Sequence, residues 1–299
     1  MSTVPVQEGF VPFRTYKIWY RIVGDREEPG KLPLLCLHGG PGSTHDYLEP
    51  LEELAAGGRR IVFYDQLGAG NSDHPQDPDL WTVSLFVEEL AMLRRALGLD
   101  RLHLFGQSWG GMLAMEYALT QPGGLAGLVL ADAPASAPQW VTEINRLRAE
   151  LPPELQETMR KHELAGRTDH PAYEEAMMAF YRRHLCRLDP WPDCLNRTFE
   201  KMVQEPEVYQ TMWGPSEFYV TGTLKDWEIT DRLGEIRVPT LVVGGRYDEA
   251  TPAVTGTVQA GIPHARMVIF ENSSHMPHLE ETPLFLETLT DFLDWVEEN

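Results

Sequence analysis

Short apolar runs of four to six residues recur along the chain, at 34–37, 61–64, 102–105, 125–130, 240–243 and 267–270. Runs this short and this continuous fit strands buried on both faces. Residues 15–23 differ, because polar and apolar side chains alternate there, and they predict a half-exposed antiparallel strand. Between the runs the period changes. Leu85, Phe86, Leu90, Leu93 and Leu97 recur near every 3.6 residues and predict an amphipathic helix. Strands alternating with helices predict an α/β protein: a mostly parallel central sheet with helices on both faces.

The rhythm stops between residues 135 and 225. That stretch has no convincing strand and reads as amphipathic helices punctuated by Pro152, Pro153, Pro171, Pro190, Pro192, Pro206 and Pro215. The organisation expected is a core of residues 1–134 and 226–299 with a helical cap inserted at 135–225. A cap there lies over the carboxyl ends of the strands, where open α/β sheets bind ligands, and would act as a lid.

Composition narrows the classes. Forty-five acidic against 25 basic residues give a formal charge of −20, which argues against nucleic acid or an anionic membrane as partner. No run approaches the ~20 apolar residues that span a bilayer. The first eight residues have neither a basic start nor an apolar core, so no signal peptide is read there. Cys36, Cys186 and Cys194 are an odd set without framework spacing; a Cys186–Cys194 pair has no support, and a reducing, cytoplasmic location is expected. Nothing in the sequence indicates an oligomeric state.

The chemistry concentrates at strand ends. Gly106-Gln107-Ser108-Trp109-Gly110 follows one apolar run and opens a helical one. Glycines flanking a serine at a strand-to-helix junction match a nucleophile elbow, a strained turn that presents the hydroxyl at a helix N-terminus. A serine nucleophile needs a base, an orienting acid and donors for an oxyanion. Asp248 and His275 each follow a predicted strand, and the order Ser, Asp, His is that of α/β-hydrolases. His38-Gly39-Gly40-Pro41-Gly42 follows another strand and supplies a bendable backbone, so the oxyanion hole is assigned to the N–H groups of Gly40 and Trp109. His278 is a rival base and Asp132 a rival acid. Asp65 is expected to brace the loop beside the site, and His103 to be a core histidine. No set of His, Cys, Asp or Glu has metal-ligand spacing along the sequence, so neither metal nor cofactor is predicted.

Together with Asp65-Gln66-Leu67-Gly68-Ala69-Gly70-Asn71-Ser72 and Gly245-Arg246-Tyr247-Asp248-Glu249, these motifs resemble the proline iminopeptidase family of α/β-hydrolases, over nearly the whole chain. Trp213-Gly214-Pro215-Ser216-Glu217-Phe218 and Gly222-Thr223-Leu224-Lys225-Asp226-Trp227 are similar to the archaeal tricorn-associated aminopeptidase branch. The resemblance implies an α/β-hydrolase fold and a serine aminopeptidase releasing proline or other apolar residues from short peptides. It also implies that Glu217 and Glu249 bind the substrate's α-ammonium, for which a desolvated cation needs anionic partners. Tyr209 and Trp213 are candidate pocket walls, with lid packing the competing role. An amino-acid amidase or esterase with the same triad, and a ligand receptor on the hydrolase fold, are the alternative functions.

Overall fold

The computed structural model describes residues 4–299; residues 1–3, within the segment read as lacking a signal peptide, lie outside the described residues. Eight strands form one sheet: β1 Val6–Phe13, β2 Tyr16–Val23, β3 Leu34–Leu37, β4 Ile61–Tyr64, β5 Leu102–Gln107, β6 Leu125–Ala131, β7 Thr240–Gly245 and β8 Arg266–Phe270. Their order across the sheet is β1-β2-β4-β3-β5-β6-β7-β8. β1 and β2 are antiparallel to their neighbours, and β3 to β8 run parallel. This is the α/β-hydrolase arrangement expected. The helices flanking the sheet are α1 Val83–Ala96 and α2 Trp109–Leu119, then, after an inserted group, α8 Pro252–Gly261, α9 Pro277–Glu280 and α10 Thr282–Glu298.

The inserted group lies between β6 and β7: α3 Ala137–Arg148, α4 Pro153–Leu164, α5 Pro171–His184, α6 Asp193–Gln204 and α7 Glu207–Met212. Pro153 and Pro171 begin helices rather than break them, at first helical positions where an N–H is dispensable, while Pro190 and Pro215 lie in bends between elements. Ser136 caps α3 by accepting the Gln139 N–H at 3.1 Å. α6 docks on the 3₁₀ segment Asp46–Gly57, where Lys201 pairs with Asp46 at 2.7 Å and Thr44 Oγ1 meets Thr198 Oγ1 at 3.0 Å.

Strand β1 was not anticipated from the pattern. Gly9 and Pro12 weaken the β signal, and only Val11 and Phe13 of this strand are buried. An edge position tolerates both, because no outer partner needs the missing proline N–H. β5 and β7 also run beyond their apolar runs: Gly106 and Gln107 still pair with Leu130 and Ala131, and Gly244 and Gly245 with Ile269 and Phe270. His103 is wholly buried in β5, as expected of a core histidine, with Nε2 3.1 Å from Glu297. All three cysteines are free thiols. No helix among the described residues is long and apolar enough to cross a membrane.

Candidate active site

Ser108 stands at the end of β5 with φ +55° and ψ −123°, a backbone conformation rarely adopted outside glycine, and caps the N-terminus of α2. The turn is tight enough to exclude side chains on both flanks. A Cβ on Gly106 would lie 2.2 Å from the Gly110 carbonyl oxygen, and one on Gly110 would lie 2.2 Å from that of Leu37. The glycines of the motif are therefore steric requirements of the elbow.

His275 Nδ1–H donates to Asp248 Oδ1 at 2.7 Å, and the Ala250 N–H donates to the same oxygen at 2.8 Å. This bond fixes the tautomer that leaves Nε2 without a proton. Trp140 packs edge-on to the imidazole, with centroids 5.9 Å apart. The His184 carbonyl at the end of α5 accepts the N–H groups of both Glu249 and His275 at 3.2 Å, while His184 Nδ1 donates to the Tyr247 carbonyl at 2.8 Å. The rival histidine is placed elsewhere: His278 Nε2 lies 3.1 Å from the Tyr47 carbonyl, and burial holds its imidazole down at about 3. It is a neutral packing residue.

Gly40 and Gly42 take φ of +106° and +80°, and a Cβ on Gly40 would lie 2.6 Å from the Ser43 nitrogen. The Gly39 N–H donates to Tyr47 Oη at 2.7 Å, Tyr47 Oη donates to Gln107 Oε1 at 2.6 Å, and Gln107 Nε2 donates to the His275 carbonyl at 3.0 Å. A second glutamine ties the other side: Gln66 Nε2 donates to the His38 carbonyl at 3.0 Å and Gln66 Oε1 accepts Trp109 Nε1–H at 2.9 Å. The Asp65 carboxylate receives His45 Nδ1 at 2.8 Å and the Asn71 N–H at 2.8 Å. Burial opposes its ionisation, yet His45 and these donors hold it at about 2. Asp65 braces the loop, as read from the sequence.

A cavity of about 390 Å³ opens over the elbow and is lined by Gly40, Ser108, Tyr209, Glu217 and His275 among others. Glu217 Oε1 accepts Tyr209 Oη–H at 2.6 Å, and burial raises this carboxyl to about 6 against the opposing pull of Tyr209 and His275. Glu249 is fully buried with neither oxygen hydrogen-bonded, and its Oε1 lies 3.9 Å from His275 Nε2. Burial, then the charges of Glu217 and Asp248, push it well above the usual carboxylate range. Glu217 lines the cavity and Glu249 lies behind its lining, near enough for the charge of Glu217 to act on it.

Two sequence expectations change here. Trp213 is not part of the cavity lining: its indole is buried and packs edge-on against Trp140 at 5.6 Å. The lack of a metal-spaced set along the sequence does not carry over to space. One oxygen each of Asp132 and Asp248 and a ring nitrogen of His275 lie within 4.8 Å of one another. Three separate strand ends supply them, so no spacing in the sequence could reveal the cluster.

A family model for the α/β hydrolase fold matches residues 33–282. The crystal structure of VinJ superposes with a TM-score of 0.94 at 50% identity, covering 97% of this chain and 99% of that one. The crystal structure of a proline iminopeptidase from Mycobacterium smegmatis gives a TM-score of 0.91 at 42% identity, covering 97% and 99%. A curated proline iminopeptidase from Clostridium botulinum is 41% identical over 97% of this chain and 98% of its own length. The chain belongs to the proline iminopeptidase family of α/β-hydrolases.

Within this family member, several residues bear on the site that pattern reading passed over. Gln107 was in view inside the elbow motif, but only the fold shows that its amide reaches the His275 loop. Tyr47 and Trp140 look like ordinary core aromatics in the sequence. His184 carried no signal at all, because its contribution is largely a backbone carbonyl.

Proposed function

We propose that this member of the family is a serine aminopeptidase that releases an N-terminal proline or other apolar residue from short peptides through an acyl-enzyme. In this reading Ser108 attacks the carbonyl of the first residue while His275 Nε2 takes its proton, and Asp248 stabilises the imidazolium. The oxyanion is met by the Gly40 and Trp109 N–H groups, the latter at a helix N-terminus. His275 then returns the proton to the leaving amine, and water repeats the sequence on the acyl-enzyme. Residues 135–225 act as a lid that limits entry to short, unfolded substrates.

The observation that carries the reading is the placement of two acids by His275: half-buried Glu217 on the cavity wall and buried Glu249 3.9 Å from Nε2. An esterase has no use for such a pair, whereas an exopeptidase must bind a free α-ammonium beside the scissile carbonyl. Turnover of prolyl, alanyl and phenylalanyl arylamides, the matching amino-acid amides, and tripeptides with the same first residue tests it. Tripeptide cleavage from the free amino end is expected, with N-acetylation abolishing turnover. Efficient amide hydrolysis without tripeptide cleavage would assign an amidase instead. Failure of the folded protein to label with a fluorophosphonate, against a Ser108→Ala control, would leave the receptor reading.

A further inference from the structure

Asp132 follows β6 in the left-handed region at φ +54°, with its own N–H bound to the Val243 carbonyl at 2.9 Å. Its side chain is wholly buried beside Asp248. Hydrogen-bond accounting at this spot does not close if both acids are ionised. Asp248 Oδ1 accepts two donors, but Asp248 Oδ2 and both oxygens of Asp132 have none. Two adjacent buried carboxylates repel each other, and each oxygen without a protein donor forfeits a bond that it had in solvent. A single proton removes the repulsion and pairs two of the three orphan oxygens, because a carboxylic acid donates where a carboxylate accepts.

That proton belongs on Asp132, since Asp248 is already committed as acceptor to His275 and Ala250. The surroundings agree. Burial comes first, then the charge of Asp248 and a hydrogen bond shared with it, then the charge of Glu280, all favouring the neutral form; the Gly245 N–H opposes them but falls short of hydrogen-bond geometry.

We propose that Asp132 is protonated at neutral pH and donates a hydrogen bond to Asp248 Oδ2, which makes it a positioning residue for the acid that orients His275. The bond ties down the second carboxylate oxygen and so keeps Oδ1 aimed at Nδ1. The inference rests on Asp248 being the triad acid. Asp132 thereby ceases to be a rival for that role and becomes its support.

The test compares full-length wild type with Asp132→Asn, Asp132→Gly and Asp248→Asn. Asparagine keeps an N–H donor and tolerates the left-handed backbone; glycine tolerates the backbone but removes the donor. Loss of one hydrogen bond to a charged group predicts a fall in kcat/KM of roughly tenfold or more for Asp132→Gly, with Asp132→Asn within about threefold of wild type. Infrared difference spectra of wild type minus Asp132→Asn at neutral pH should contain the C=O stretch of a protonated carboxylic acid. An asparagine variant as impaired as the glycine variant, an unimpaired glycine variant, or a difference spectrum without that band would overturn the proposal. If the glycine variant fails to fold, the infrared comparison decides alone. Full activity of Asp248→Asn would instead sink the triad reading, and the infrared result is independent of that outcome.

Discussion

Gln107 donates to the His275 carbonyl at 3.0 Å, so the residue before the candidate nucleophile holds the loop of the candidate base. Through Tyr47 the same amide reaches the Gly39 N–H, and one buried chain of hydrogen bonds links the elbow, the Gly39 loop and the His275 loop. Breaking it at either end should loosen relative geometry without touching substrate-binding charge. Tyr47→Phe and Gln107→Met are each expected to lower kcat roughly tenfold with little change in KM, the pattern of an interaction that matters in the transition state. Steady-state kinetics beside melting curves check this; a matching rise in KM would contradict it.

Ser108→Ala and His275→Ala should each reduce turnover by at least about three orders of magnitude, because members of a triad act as a unit. The double variant should be little worse than either single one. Circular dichroism should remain unchanged, since backbone bonds to the Ala131 and His184 carbonyls hold Ser108 and His275 independently of their side chains. A double variant whose losses multiply would mean that the two residues act separately.

Glu217→Gln sets activity against stability. Burial has raised this carboxyl from 4.5 to about 6, so the folded protein holds the proton more tightly than the unfolded chain does. Stability from this group is fully present below the unfolded value and is lost as pH rises through about 6. Replacing it with a neutral amide should therefore stabilise the protein at pH 8 by roughly 1–2 kcal/mol, the scale of that shift. The same change should depress hydrolysis of free-amino substrates far more than of simple esters lacking the amine. Denaturant titrations and paired substrate kinetics read the two effects; equal losses on both substrates would remove the ammonium role.

The same carboxyl predicts a pH dependence of binding. As pH falls through about 6, Glu217 becomes neutral and its attraction for an ammonium fades. KM for aminoacyl arylamides should rise on the acid side of that value, while KM for uncharged esters stays flat. The comparison separates this effect from a general loss of catalytic competence, which would alter kcat for both substrates.

How much was legible beforehand follows the kind of interaction involved. Apolar runs announced six of the parallel strands because burial on both faces demands continuous hydrophobicity, and the strand-end motifs then fell where such sheets expose their loops. Ser108, Gly40, Asp248 and His275 belong to loops whose steric demands leave local marks, such as glycines that no other residue can replace. β1 left no comparable mark, since an edge strand needs only one partner and little burial. The Asp132–Asp248–His275 cluster, the reach of Gln107 and the inward turn of Trp213 against Trp140 depend on distances between segments far apart in sequence. No local pattern encodes them.

The His184 carbonyl, last in α5, receives amides from both the Glu249 and the His275 loops. An inserted helix thus ends as a beam in the wall of the reaction chamber. The insertion of this chain is therefore no independent module: a graft that ended α5 one residue early would leave two loop amides without an acceptor. Redesign of this chain's cavity is then confined to the side chains that α5 to α7 turn toward it, with the α5 terminus held fixed as a mounting point.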